Sequence, residues 1–281
     1  MNKLGRRKLK NFLALSISSL CAAAGLAILF IILYDVLKEG LKSFSIHLFI
    51  SDPAPPNRGL SGGLKGAFLG QGLLTLAATV VGVPLGVLGG TFLAEYGRNS
   101  RFCRFLSRLC DMAVSIPSIV IGTFVYAILV LPLGGFNGWA GSTALAIIIL
   151  PVVIRTTEEM MTMVPWTLRE AAFALGAPYH KVITSIVWRA SISGIFTGIL
   201  LAIARIAGET APLLFTSFNS NYFRLSFNEA VPSLTVSIYQ YAASPYEEWI
   251  SLAWAAALVV TILVLILNII GRVLIKIRIG G

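Results

Sequence analysis

The chain has 281 residues, of which 57% are hydrophobic and 12% charged, with 22 Lys+Arg against 12 Asp+Glu and a net charge of +10. That charged share is about half of what a globular domain carries, and a mean hydropathy of +0.85 leaves too little polar surface for one. A water-soluble enzyme and a soluble basic nucleic-acid-binding domain are excluded on these grounds, so the placement of the cations matters more than their number.

Apolar runs of the ~20 residues that a helix needs to cross a hydrocarbon core fall at 12–37, 68–94, 112–133, 140–163, 191–216 and 250–275. The expected fold is all-α, an integral membrane protein of six transmembrane helices. Its expected organisation is a basic tail at 1–11, a first span at 12–37, a periplasmic loop at 38–65, a transmembrane domain at 66–275 with a cytoplasmic loop at about 164–180, and a tail at 276–281. Lys3, Arg6, Arg7, Lys8 and Lys10 precede the first run as they would a signal peptide. Its length exceeds the about 7–15 residues of a cleavable h-region, and Leu20 before Cys21 is not the small residue of a lipoprotein site, so the span is retained.

Sorted by alternate loops, 16 cations fall on one side: five in the N-terminal tail, then Arg98, Arg101, Arg104, Arg108, Arg155, Arg169, Lys181, Arg189, Arg272, Lys276 and Arg278. Lys38, Lys42, Arg58, Lys65 and Arg224 fall on the other, and Arg205 lies inside a span. By the positive-inside rule both termini are cytoplasmic. The high pI reports orientation in a lipid bilayer, with no nucleic-acid partner.

Span 2 carries Gln71, Thr75 and Thr79 on one i,i+4 row and Gly82, Gly86 and Gly90 on another, with Pro84 between. Span 3 is expected to begin with Asp111 in its first turn, where a helix N-terminus favours an anion, followed by Ser115, Pro117, Ser118 and Gly122. Helix packing is the commoner role for any one of these. Arg155 comes ~22 Å below the outer end of span 4; it is either a flanking cytoplasmic charge or a second cation on an anion path, near Glu158 and Glu159.

The loop after span 4 reads as a short helix, with Pro165 entering, Thr167 as N-cap, Glu170 completing a capping box, and Gly176 and Pro178 as the stop. Two or three turns are unstable alone, so this helix packs on the bundle or docks a partner. Span 5 carries Arg205 and Glu209 one turn apart, with Gly194, Gly198, Ala202 and Pro212 within about 40° of the same line. Small residues at i,i+4 permit close helix approach in lipid, so this face is expected to look into protein, with Leu200, Ile203 and Leu214 towards lipid. Pro212 weakens the helix beside Glu209 and frees the Gly208 carbonyl. The pair either neutralises itself as a packing lock, or Arg205 offers a forked donor to a small oxyanion while Glu209 holds it in position.

Cys21, Cys103 and Cys110 have no paired spacing, and His47 and His180 are far apart, so neither a disulfide framework nor a metal site is indicated. No P-loop motif occurs; Gly59 to Gly66 contains Lys65 but lacks the Gly before it and the Ser or Thr after it.

Glu170-Ala171-Ala172 with Gly176 four residues on resembles the EAA loop of bacterial ABC importer permeases. The run Leu150–Glu159, Leu168–Ala172, Ala174–Gly176, Thr197-Gly198 and Gly208–Thr216 resembles the phosphate importer permeases of the PstA type, and Pro84–Gly86, Tyr96 and Pro117–Gly122 extend the likeness over roughly 60–275. Where that family has Leu-Pro near the end of the loop, this chain has Trp188-Arg189. The resemblance implies a type I ABC importer permease fold in the bacterial cytoplasmic (inner) membrane. It implies no enzyme activity and no cofactor in this chain, with ATP and Mg on a partner ATPase. Partners implied are a homologous permease of the PstC type, two PstB-type ATPase subunits and a periplasmic phosphate-binding protein of the PstS type. Arg205, Glu209, Thr210 and Arg155 would line the substrate pathway, and Arg169, Glu170, Ala171, Ala172 and Gly176 would couple to the ATPase. A molybdate, sulfate or amino-acid ABC permease would share the EAA loop without the Arg205–Pro212 signature, whereas an ion-coupled carrier would show inverted repeats and a scaffold would have no use for the deep Arg and Glu.

Overall fold

The computed structural model describes residues 3–56, 62–97, 100–220 and 226–279, and all regular structure in them is helical. Arg58, Arg98 and Arg224 of the charge count lie outside the described residues. Among the described residues five helices are long and apolar enough to cross a membrane, or six if a bent pair forms one span.

Helix α1 (Lys3–Lys42) stands away from the bundle over its apolar length and meets it near Gly40, which rests on Leu258 and Trp254. It runs beyond the expected span at both ends. After the short α2 (His47–Ile50), α3 (Lys65–Thr91) continues as a π-helical turn, Phe92–Tyr96. Next come α4 (Arg101–Ser115) and α5 (Ser118–Leu133), the latter with a π-helical stretch at Tyr126–Val130. Helix α6 (Gly138–Thr162) starts at Asn137, whose Oδ1 accepts from the Ala140 N–H at 2.8 Å and so satisfies one of the orphan donors of the first turn. The short α7 (Trp166–Ala174) leads to α8 (Tyr179–Ala207), π-helical over Val182–Val187 and continuous through Trp188-Arg189. Then follow α9 (Ala211–Thr216), α10 (Leu234–Ala242) and α11 (Glu247–Ile279).

Helix α6 is the axis of the bundle. Leu145, Ile149 and Val153 on it are buried against Leu74 and Ala78 of α3, Ala202 and Ile206 of α8, and Leu213 of α9. A second cluster joins α2, α3, α10 and α11 through Leu48, Ala67, Tyr241 and Ala255. A third underlies α7, formed by Met161, Val164, Ala172, Val182, Ile183 and Val187.

Three expectations are corrected. The run at 112–133 is not one helix, because α4 and α5 meet at 98° across Ile116-Pro117. Proline disfavours helical geometry in the residue before it, and Ile116 is extended at φ −69°, ψ 130°. Asp111 is therefore near the end of α4 and not in the first turn of a span. Span 5 is two helices, broken after Ala207, with Pro212 in the first turn of α9, where its missing N–H costs no helical bond. Helix α7 starts at Trp166 with Pro165 as its cap and no side-chain cap bond, so Thr167 lies inside the first turn and the capping box does not form.

Candidate functional site

The break between α8 and α9 gathers most of the polar groups expected on a pathway. Arg205 lies in the last turn of α8, where a cation complements the unsatisfied carbonyls. Its own carbonyl accepts the Gly208 N–H at 3.1 Å. Glu209 Oε1 is 3.9 Å from Arg205 Nε, a loose pair in which the arginine side chain is 46% exposed and the glutamate 16%. Irregular backbone at this depth needs partners from elsewhere in the protein. Thr235 of α10 supplies one: its hydroxyl donates to the Glu209 carbonyl at 2.9 Å and lies 3.4 Å from Gln71 Oε1 of α3. Gln71 Nε2 in turn reaches Thr75 Oγ1 at 3.5 Å. Thr210 precedes α9 and is half-buried, its carbonyl accepting the Leu214 N–H at 3.0 Å. Helix α5 closes over the break at Gly122, where a side-chain carbon would come within 2.7 Å of Pro212 Cα. The sequence reading gave Thr235 no role, because nothing local marks a threonine that acts across 26 residues.

The small-residue face of α8 points into protein at Gly194, which rests on Met160, at Gly198, which rests on Thr156, and at the buried Ala202, but Arg205 on the same face is exposed, which corrects that part of the expectation. Leu200, Ile203 and Leu214 do not form the outward face. All three are half-buried, Ile203 and Leu214 against the main core and Leu200 beside Gly271 of α11, where Thr197 Oγ1 also donates to the Gly271 carbonyl at 3.2 Å. Ile192 and Phe196 are exposed on one side of α8, whereas Leu201 and Arg205, about 140° and 180° round the helix from Phe196, are exposed on another. The charge thus lies on the outer surface of the chain, on the side of α8 that carries Gly194 and Gly198.

Arg155 is surrounded by carboxylates. Its Nε is 3.2 Å from Asp111 Oδ1 and 2.9 Å from Glu159 Oε1, while Nη1 is 3.3 Å from Glu158 Oε2 and 3.0 Å from Ser107 Oγ. Three acids around one guanidinium leave the place net negative. In this geometry Arg155 fastens α4 to α6 and has no charge to spare for an anion.

On α7, Glu170 and Ala171 are exposed, as is Leu175 just beyond it at 89%. Gly176 has φ +78° with nothing within 4 Å of a would-be side chain, so glycine is needed there for its left-handed backbone alone. Ala172 faces inward. Arg169 does too: its side chain is 4% exposed and pairs with Glu95 of α3, 2% exposed. It is therefore not exposed for a partner to touch, and any part it has in coupling acts through its buried contacts. Along the sequence nothing marks Glu95 for a role, although it is an acid shortly before Arg98, Arg101 and Arg104.

Residues 82–277 match the family model described as binding-protein-dependent transport system inner membrane component. The chain is 48% identical over 268 residues to the phosphate transport system permease protein PstA of Yersinia pestis, covering 95% of this chain and 90% of that one. It is 47% identical over 267 residues to the protein of the same name from Pasteurella multocida strain Pm70, covering 95% of each. Among solved structures, an inward-facing conformation of the MetNI methionine ABC transporter is similar with a TM-score of 0.59 and 18% identity, over 76% of this chain and 93% of that one. That likeness shows a type I ABC importer permease fold.

Proposed function

This chain belongs to the binding-protein-dependent transport system inner membrane component family, in its PstA branch, and we propose that phosphate crosses along the face of α8 that carries Arg205. The chain is the membrane permease subunit of a phosphate ABC importer.

The observation that carries the pathway is the half-exposed guanidinium in the last turn of an apolar helix, at its break. An Arg against lipid at the bilayer centre costs ~2.5–3.5 kcal/mol even on the lenient insertion scale, so this face meets water or protein. A homologous permease of the PstC type facing it would enclose a path with Arg205 on its wall. The forked N–H donors match two oxygens of phosphate, and Glu209 at 3.9 Å orients the fork while leaving it available. Thr210 adds a hydroxyl beside it. Arg155 would join the path only in a conformation that releases its carboxylates.

Energy enters from outside the chain, which has no P-loop. The exposed edge of α7, with Glu170, Ala171 and the Gly176 turn, is the docking element for one of two PstB-type ATPase subunits, which hold ATP and Mg. A PstS-type binding protein delivers phosphate at the opposite face of the bacterial inner membrane, and both termini are cytoplasmic by their cations.

Arg205→Ala tests the pathway. A bond to a charged group is worth ~1.5–3 kcal/mol, so phosphate uptake is expected to fall about 10- to 100-fold at unchanged expression and ATPase association. Normal uptake by the well-expressed variant rejects it.

A further inference from the structure

We infer that Arg169 and Glu95 form a joint that carries movement of α7 to α3, a route through the fold additional to the chain connections at the ends of α7. The inference rests on the reading of α7 as the ATPase-docking helix. Along the chain, α7 is joined only to α6, through 163–165, and to α8, through 175–178. Helix α3 has no covalent connection to it.

The side chains supply one. Two guanidinium nitrogens of Arg169 meet the Glu95 carboxylate, Nη2 on Oε1 and Nε on Oε2 at 3.4 Å. The same group gives Nη1 to the Val164 carbonyl at 2.6 Å and Nη2 to the Met161 carbonyl at 3.0 Å. One planar group therefore clamps the end of α6, the coupling helix and the end of α3. A second strand runs beside it: the Tyr179 hydroxyl donates to the Glu95 carbonyl at 2.8 Å. The Tyr179 ring stacks on Phe173 of α7 at 6.0 Å and meets Tyr96 edge-on at 5.4 Å.

Stability does not explain why charges sit here. Desolvation offsets most of the attraction in a buried ion pair, and well-packed apolar residues of similar volume do as well or better. What the pair adds is one fixed geometry, because the fork matches a carboxylate in few orientations. Neither charge can leave alone without stranding the other among Met161, Val164, Ala172 and Val182. The end of α3 must then follow α7.

The chain on two sides of this joint is π-helical, at Phe92–Tyr96 and Val182–Val187. Such i→i+5 turns are rare insertions frequently found at functional sites, and here they separate the joint from the straight parts of α3 and α8. At the far end of α3, Gln71 touches Thr235, which holds the Glu209 carbonyl. A shift of α3 along its axis would reach the break beside Arg205 without passing through α8.

The test is the double variant Glu95→Leu/Arg169→Met, in complex with the ATPase and reconstituted in liposomes, measuring ATP hydrolysis and phosphate uptake together. Expected is hydrolysis within about 2-fold of wild type and uptake per ATP at least about 10-fold lower, since an apolar replacement keeps the fold but not the joint. Unchanged uptake per ATP overturns the inference, whether the two rates stay high or fall in step. A wild-type chain that holds no ATPase removes the docking reading, a failure distinct from that of the joint. A second measurement needs no disruptive variant: spin labels at Phe92→Cys and Leu175→Cys in a background with Cys21, Cys103 and Cys110 changed to Ala. One distance, the same with and without ATP, is expected of a rigid joint; a distance that changes with nucleotide overturns it.

Discussion

Arg205 and Arg155 both interrupt apolar runs of the sequence, and their neighbours in the fold give them opposite roles. Arg205 has one loose partner, whereas Arg155 has three carboxylates and a hydroxyl within 3.3 Å. If the Arg155 cluster is a clasp, its loss should act through unbalanced charge. Arg155→Gln is expected to lower the melting temperature of the purified chain by a few degrees, about 1 kcal/mol for a partly exposed network. Adding Asp111→Asn and Glu159→Gln should restore most of that loss; no recovery would mean that packing and not charge holds α4 in place. Thr235→Val removes the donor to the Glu209 carbonyl at nearly constant volume, and an unsatisfied buried acceptor costs about 1–3 kcal/mol. A thermal melt and an uptake assay on that variant check whether the broken backbone depends on it. At this scale the sequence reveals residues that are anomalous where they stand. Arg205 and Glu209 are legible because a charge in an apolar run needs an account whatever its geometry. Arg169 and Glu95, 74 residues apart, each look like ordinary loop charges until the fold brings them together.

Helix ends explain which elements were misjudged and which were not. Hydropathy locates every apolar run but does not resolve a bend or break within one, since the period of apolar residues continues across Pro117 and Gly208. The physical signals were present as Pro117 and Pro212. A proline removes one donor and fixes its predecessor's backbone, and only packing decides whether the chain kinks, turns through 98° or restarts. Gly122 shows how the restart is held, by contact with Pro212 at a distance that leaves no room for a side chain. Gly122→Val is expected to destabilise by about 1–3 kcal/mol or more through overpacking, read as a lower melting temperature and weaker uptake. Gly176 is the opposite case, open in space but left-handed in backbone. Gly176→Asn should couple normally, and Gly176→Val should cost about 1–2 kcal/mol in ordering the turn, seen as weaker ATPase co-purification. Equal loss with both would point to steric exclusion by the ATPase and not to backbone strain.

At the scale of the whole molecule, α1 is the part this chain's own packing does not account for. Its most apolar window has none of its residues buried, and the bundle from α3 onward has its core without it. A span ~20 residues long is stable in lipid by itself, so lipid alone would account for a uniformly apolar α1. The sequence is not uniform. Ser16, Ser18, Ser19 and then Cys21 to Gly25 form a band of small residues in mid-span, all exposed. Such bands allow close helix contact in membranes, where association depends on packing and not on the hydrophobic effect. Among the described residues nothing covers this band, and in the arrangement proposed above the homologous permease is the neighbour that would meet it. Replacing residues 12–33 by a polyleucine span while keeping the basic tail separates the possibilities. The melting temperature of the isolated subunit should change by less than about 2 °C, because no buried contact is lost. A C-terminal fluorescent reporter should remain cytoplasmic, because the cations that set orientation are untouched. Association with the second permease should weaken at least about 10-fold, or ~1.4 kcal/mol, and undiminished association would leave α1 a lipid-facing anchor.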